Sequence, residues 1–253
     1  MRIAMIQHDI VWNDRDANFA RLAPLIAAAA GAGARLVLLT ETFSTGFAVD
    51  VPGLAEPEGG PSAQFLHHQA QATGAWVCGT CPELGTDGDP RPYNSFVIAG
   101  PDGTMHRYRK IHPFGYGGED QHFRAGSELV TITIEGVRVS PLVCYDLRFA
   151  DEFWGLAHAT DLYLVPANWP EPRRTHWMAL LQARAIENLA YVAGCNRVGT
   201  GGGLTYVGDS RVVDPLGELL ATGAVGETTL LAEIDPERVA AVRARFGFLD
   251  DRR

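Results

Sequence analysis

Short apolar runs rich in β-branched residues recur along the chain, at residues 2–7, 36–40, 75–79, 93–99, 129–134, 137–144, 162–166, 191–196, 210–213 and 229–234. Their length and Val/Ile content predict strands, whose successive side chains go to opposite faces. Gly100-Pro101-Asp102-Gly103, Glu135-Gly136 and Asp214-Pro215-Leu216-Gly217 have the chemistry of hairpin turns between such strands. Helical patterns occupy residues 16–30, 63–73, 151–159, 175–189 and 236–245, with Ser62 placed to cap the second. Interleaved this way, the elements predict an α/β (α+β layered) domain with strands for more than one sheet. No Pro- or Ser-rich linker or long repeat divides the sequence. Residues 1–253 therefore read as one domain, its core over about 3–234 and a C-terminal helix and tail at 235–253.

Composition narrows the setting. With 46% hydrophobic and 20% charged residues, 253 residues are enough for a large core without staples. The balance of 21 basic against 30 acidic residues leaves a net charge of -9 and no basic run, which argues against nucleic acid and anionic membrane as partners. The opening Met1-Arg2-Ile3-Ala4-Met5-Ile6-Gln7 turns polar too soon for an export signal, and no stretch reaches the roughly 18–20 apolar residues of a spanning helix. Four cysteines do not suggest a disulfide scaffold, so a reducing cytoplasm is expected.

Three polar residues fall where predicted strands end: Glu41 after residues 36–40, Lys110 after residues 105–109, and Cys144 at the close of residues 137–144. Layered folds place their chemistry at such ends. Singly, each has an ordinary explanation as an exposed glutamate, a solvated lysine or an inert core thiol. Together they compose a nucleophilic site. A thiol becomes a nucleophile when a carboxylate takes its proton, and attack on a carbonyl creates an oxyanion that an ammonium and a backbone N–H can hold. A cysteine on a sharp strand-to-helix turn would expose its sulfur and aim the Tyr145 N–H at that charge. Lys110 between carboxylates is expected to stay an ammonium and to favour the thiolate.

The words around these residues carry a resemblance. Thr40-Glu41-Thr42-Phe43, Tyr108-Arg109-Lys110-Ile111-His112 and the stretch Leu142-Val143-Cys144-Tyr145-Asp146-Leu147-Arg148-Phe149 resemble, in that order, the Glu, Lys and Cys motifs of the nitrilase (carbon–nitrogen hydrolase) superfamily. Phe114…Gly118-Glu119…Phe123…Gly126 is similar to the segment holding the family's additional glutamate, and the likeness continues through Pro166-Ala167-Asn168-Trp169-Pro170, His176-Trp177, residues 182–188 and Asn196-Arg197-Val198-Gly199. It covers about residues 3–234; Gly115-Tyr116-Gly117-Gly118 departs from the pattern. Asn168-Trp169-Pro170…Arg173…His176-Trp177 with Ala185-Ile186-Glu187-Asn188 is most similar to the omega-amidase branch.

The resemblance implies a four-layer α-β-β-α sandwich, a homodimer or larger homo-oligomer, and neither cofactor nor metal. It implies hydrolysis of the terminal amide of a small 2-oxo dicarboxylic acid monoamide by water, with Glu41 as base, Cys144 as nucleophile, Lys110 and the Tyr145 N–H at the oxyanion, and Glu119 either moving protons or orienting Lys110. Alternatives in the same chemistry are a deaminated-glutathione amidase, an N-carbamoyl hydrolase or a nitrilase; outside it stands a binding or scaffold protein that keeps the fold. A substrate carboxylate calls for a cation, for which Arg173 and Arg174 are candidates against a plain role at a helix start. Phe43, Asn168, Trp169 and His176 are candidates for the pocket wall. Cys78-Gly79-Thr80-Cys81 lacks a second cluster for zinc or a redox context and reads as strand, and the glycine run at 199–203 lacks the spacing of a phosphate loop.

Overall fold

Alternation along the strands sets the layering. In β1 (Arg2–Gln7), Ile3 and Met5 enter one apolar core while Ala4 and Ile6 enter another. Two helices, α1 (Arg15–Gly31) and α2 (Pro61–Thr73), frame β2 (Leu36–Leu38), which repeats the division: Leu36 and Leu38 face the first core, Val37 the second. So do β3 (Trp76–Leu84), with Cys78 opposite Val77 and Cys81, and β4 (Pro92–Ala99), with Phe96 and Ile98 opposite Val97 and Ala99. A sheet buried on both faces reads as nearly continuous apolar sequence, which is why these runs were visible at all. Leu22 and Ile26 of α1 and Phe65 and Leu66 of α2 fill the second core, making the helices an outer layer.

The computed structural model describes residues 1–252; Arg253, the end of the predicted tail, lies outside the described residues. After β5 (Met105–Arg109) and the short α3 (Glu119–His122), the chain builds a second sheet from β6 (Ile132–Ile134) and β7 (Val137–Pro141). It continues through α4 (Ala150–Leu156), β8 (Leu162–Ala167), α5 (Arg174–Asn188) and β9 (Tyr191–Asn196). A separate hairpin of β10 (Val198–Gly201) and β11 (Leu204–Val207) precedes β12 (Arg211–Val213) and β13 (Leu219–Thr222), and β14 (Thr228–Glu233) returns to the first sheet before α6 (Pro236–Phe246).

Strand order is β14-β1-β2-β3-β4-β5 in one sheet and β13-β12-β9-β8-β7-β6 in the other. Each has a parallel centre, β1–β2–β3 and β7–β8–β9, with antiparallel flanks. The sheets face each other across the first core: Cys195 of β9 lies with its Sγ 3.4 Å from the Ile6 carbonyl of β1. On the far side of the second sheet, α5 brings Trp177 and Leu181 down onto β9 at Gly194, where any Cβ would meet Leu181 Cδ1 at 2.5 Å. The result is the expected α-β-β-α sandwich.

Three local expectations shift. Helix α2 starts at Pro61, whose missing N–H and fixed φ suit the first helical position, so Ser62 is inside the helix rather than its cap, with Oγ 2.6 Å from Glu56 Oε1. The run ending at Cys144 stops pairing at Pro141, and Cys144 opens a 3-10 turn. The glycine run at 199–203 ends β10 and supplies the two-residue turn into β11; glycine replaces the apolar alternation that would have marked these strands.

Candidate active site

Strand direction brings the chemistry to one end of the sandwich. Strand β5 runs antiparallel to β4, which is antiparallel to β3, so β5 ends where β2 and β3 end. Glu41 therefore follows β2 and Lys110 follows β5 at the same edge, while Cys144 follows β7 and Asn168 follows β8 in the facing sheet.

Two turns carry backbone that non-glycine residues seldom adopt. Thr42, just after Glu41, has φ +43°, and Cys144 has φ +45°. The Cys144 turn is pinned by Asp146, whose carboxylate accepts from the Val143 N–H at 2.9 Å, the Tyr108 hydroxyl at 2.8 Å and the His112 N–H at 2.9 Å. Burial pushes the Asp146 carboxyl up to about 6 against these donors and the Lys110 charge. The Tyr145 N–H sits in the first turn, where a helix offers no backbone acceptor.

Lys110 Nζ donates to Glu41 Oε1 at 2.9 Å and to Glu119 Oε2 at 2.8 Å, and none of the three side chains is more than 1% exposed. Asn94 on β4 joins the same carboxylates from the other side, its Nδ2 donating to Glu41 Oε1 at 2.9 Å and to Glu119 Oε1 at 3.0 Å. The Asn168 N–H holds Glu41 Oε2 at 2.8 Å, and the Phe114 N–H holds Glu119 Oε2 at 2.6 Å. Burial alone would lower the Lys110 ammonium, but Glu119 and Glu41 together hold it above the ordinary lysine range. For Cys144 the balance differs from the sequence expectation. Burial pushes its thiol well above the usual value, Glu41 adds to that, and Lys110 only partly offsets them, so the resting group is a thiol rather than a thiolate.

Cys144 opens onto a cavity of about 450 Å³ whose wall includes the rings of Trp12, Phe47, Phe114, Tyr145, Trp169 and Tyr206. Of the predicted pocket residues, Asn168, Trp169 and Arg173 line it. Arg173 lies over the Phe114 ring at 5.3 Å. Three others are elsewhere. Phe43 is fully buried in the second core, 6.0 Å from the Phe65 ring, because the left-handed Thr42 turns the chain away after Glu41. Arg174 forms a two-nitrogen contact with Asp209 at 2.9 and 3.0 Å and is not part of the lining. His176 stands behind the wall, its Nδ1 3.2 Å from Arg148.

Arg148 itself lines the cavity, stacked 4.8 Å over Trp169, and sequence reasoning missed it. The signal was present: in a 3-10 turn residues three apart share a face, so a turn that aims Tyr145 at the cavity aims Arg148 there too. Asn94, Phe47 and Tyr206 had no comparable mark. Cys78 and Cys81 project to opposite faces of β3, as residues three apart on a strand must, so they cannot form one site. Among the described residues, no three His, Cys, Asp or Glu side chains are grouped to hold a metal ion, and no helix is long and apolar enough to cross a membrane.

The carbon–nitrogen hydrolase sequence pattern matches residues 2–244. The omega-amidase YafV of Escherichia coli is 38% identical, the alignment covering 99% of this chain and 96% of that protein. The 2-oxoglutaramate amidase of Bacillus subtilis is 33% identical, covering 98% and 96%. Among solved structures, a CN-hydrolase superfamily protein of Xanthomonas campestris with an arsenic adduct in its active site superposes with a TM-score of 0.94 at 35% identity, covering 100% of this chain and 97% of that one.

Proposed function

The chain belongs to the carbon–nitrogen hydrolase family and is a hydrolase of carbon–nitrogen bonds, and within that family we propose an omega-amidase that converts a 2-oxo dicarboxylic acid monoamide such as 2-oxoglutaramate to the acid and ammonia. The observation that carries this reading is the pairing of two features. One is the buried Glu41–Lys110–Glu119 array beside Cys144; the other is a cavity above it holding two arginines, Arg148 and Arg173, that have no carboxylate partner among the described residues.

The steps follow from the donors and acceptors. Glu41, held by Lys110, Asn94 and the Asn168 N–H, takes the Sγ proton of Cys144 as the sulfur attacks the amide carbon. A thiol kept protonated until that moment fits proton transfer to a neighbouring base better than a standing thiolate. The Lys110 ammonium and the Tyr145 N–H face the oxyanion. Glu41 passes its proton to nitrogen, the C–N bond breaks, ammonia leaves and an acyl thioester remains; water, deprotonated by Glu41, then releases the acid. Glu119, with both oxygens occupied by Lys110, Asn94 and Phe114, acts as a positioning residue for the ammonium. Arg173 and Arg148 grip the substrate carboxylate, for which a guanidinium offers paired donors.

The same proposal includes residues 1–253 as one domain, a homo-oligomer, and a cytoplasmic setting. Ammonia release from 2-oxoglutaramate by the purified chain, with Cys144→Ala as control, tests the function. Turnover abolished by the substitution supports it. Release only from a carbamoyl or peptide-like amide, still dependent on Cys144, would keep the chemistry and replace the substrate.

A further inference from the structure

Two neighbouring cavities border the catalytic cluster. The first opens over Cys144 and carries Arg148 and Arg173. The second, of about 310 Å³, ends on Thr42, Asn94 and Glu119, and Cys144 is not part of its lining. Phe47, Val49, Asp50 and His122 contribute to both, so the loop at residues 45–55 is the partition.

The two differ in charge. Asp50 is the single carboxylate of the first cavity, against two arginines. The second contains Asp50 and Glu119 with the hydroxyls of Thr42 and Thr45, and no arginine or lysine among its described lining residues. Asn94, at its inner end, touches both Glu41 and Glu119 through one amide nitrogen, so a small molecule arriving there stands beside the acid–base pair.

Amide hydrolysis makes products of opposite electrostatic character from one carbon. When the C–N bond breaks, the proton from Glu41 goes to nitrogen and the acyl group stays on sulfur, filling the arginine-lined cavity. Ammonia must then leave, and water must reach the thioester to add its hydroxyl to the acyl carbon and return a proton to sulfur, while that route is occupied. We propose that the second cavity is the port for this small-molecule traffic: ammonia departs through it, becoming ammonium as it meets solvent, and the hydrolytic water enters by it. This rests on the amidase reading above. The second cavity offers the carboxylate product no arginine or lysine among its described lining residues, whereas Arg148 and Arg173 hold that product in the first, which sorts the two products between the two openings.

Val51 and Ala55 line the second cavity and not the first, and both are partly exposed, so a larger side chain there narrows the port without touching the substrate cavity. The experiment compares Val51→Phe and Ala55→Phe with the unmodified chain, all rates expressed per reactive Cys144 thiol so that misfolded protein does not count. Hydroxylamine, uncharged at neutral pH and near ammonia in size, competes with water for the acyl-enzyme, and the ratio of hydroxamate to acid is measured alongside kcat and KM. The expected result is a hydroxamate-to-acid ratio lowered about tenfold in both variants, with kcat reduced and KM for the amide not raised. An unchanged ratio and kcat in both, with the unmodified chain turning over, overturns the port alone. An unmodified chain that releases neither ammonia nor hydroxamate from any amide overturns the amidase reading and the port with it.

Discussion

Lys110 Nζ and Glu119 Oε2 meet at 2.8 Å with neither side chain reaching solvent. The same Oε2 also accepts the Phe114 N–H, and Oε1 accepts from Asn94, so donors surround the carboxylate on every side the structure describes. A group so fully engaged holds the ammonium in place rather than shuttling protons. Glu119→Gln is therefore expected to lower kcat by about 100- to 1000-fold, the scale of a misplaced oxyanion donor, while the shape of the pH–rate profile is retained. Glu41→Gln should abolish turnover. Loss of the acidic limb of the profile in Glu119→Gln would assign it a proton-transfer role instead.

Removing the carboxylate altogether adds a stability effect. Glu119→Ala leaves Lys110 with one of its two counter-charges at a buried position, and breaking a buried pair in this way destabilises by about 3–5 kcal/mol. Chemical denaturation of Glu119→Ala against the unmodified chain measures it. Equal midpoints would mean that Glu41 alone satisfies the ammonium.

Cys144 offers a test that separates nucleophilicity from catalysis. Burial and then the Glu41 charge raise its thiol, while Lys110 opposes them. Glu41→Gln removes one raising contribution and leaves the lowering one, so the thiol titrates at lower pH in the variant. The expected outcome is faster alkylation by iodoacetamide at neutral pH in a protein that no longer hydrolyses amides. Slower alkylation would indicate that Glu41 activates the sulfur towards the reagent as it does towards substrate.

The two arginines should act on binding more than on chemistry. Arg173→Gln and Arg148→Gln each remove a charged hydrogen-bonding partner, worth about 1.5–3 kcal/mol when made to an ionised group, which corresponds to roughly 10- to 150-fold in KM for the 2-oxo acid amide. Turnover of a neutral short-chain amide should be little changed. If both variants bind the acidic amide normally, the carboxylate sits elsewhere in the cavity.

The reach of the sequence is clear in these residues. Glu41, Lys110 and Cys144 were legible because apolar strands stop and a polar residue follows, a one-dimensional signal of a strand end. Arg148 was within reach once Cys144 was placed on a tight turn. Asn94 was not, since its role depends on β4 lying between β3 and β5, a pairing that no local pattern states. Phe43 misled for the opposite reason: adjacency to Glu41 in sequence was undone by a single left-handed residue at Thr42. The β10–β11 hairpin, which brings Leu204 and Tyr206 to the cavity, was hidden by glycines that its neighbours require. At Gly201 a Cβ would meet the Trp12 ring at 2.5 Å.

Acid stability gives the last prediction, because two buried groups oppose each other in one pH window. His8, at the end of β1, is lowered from 6.5 to about 4, chiefly by burial. The folded state therefore binds its proton less readily than the unfolded chain, and the stability present above pH 6.5 is lost as pH falls towards 4, by about 3 kcal/mol in all. Asp146 is raised from 3.8 to about 6, again by burial, so the folded state binds its proton more readily and gains a comparable amount, about 3 kcal/mol, as pH falls from 6 to 3.8. In the unmodified chain the two nearly cancel between pH 6 and 4. His8→Gln removes the loss and keeps the gain, so its urea midpoint should rise relative to that of the unmodified chain as the solution is acidified through that window. Parallel curves for the two proteins would mean that His8 accepts its proton in the fold at an ordinary pH, with its ring reaching water.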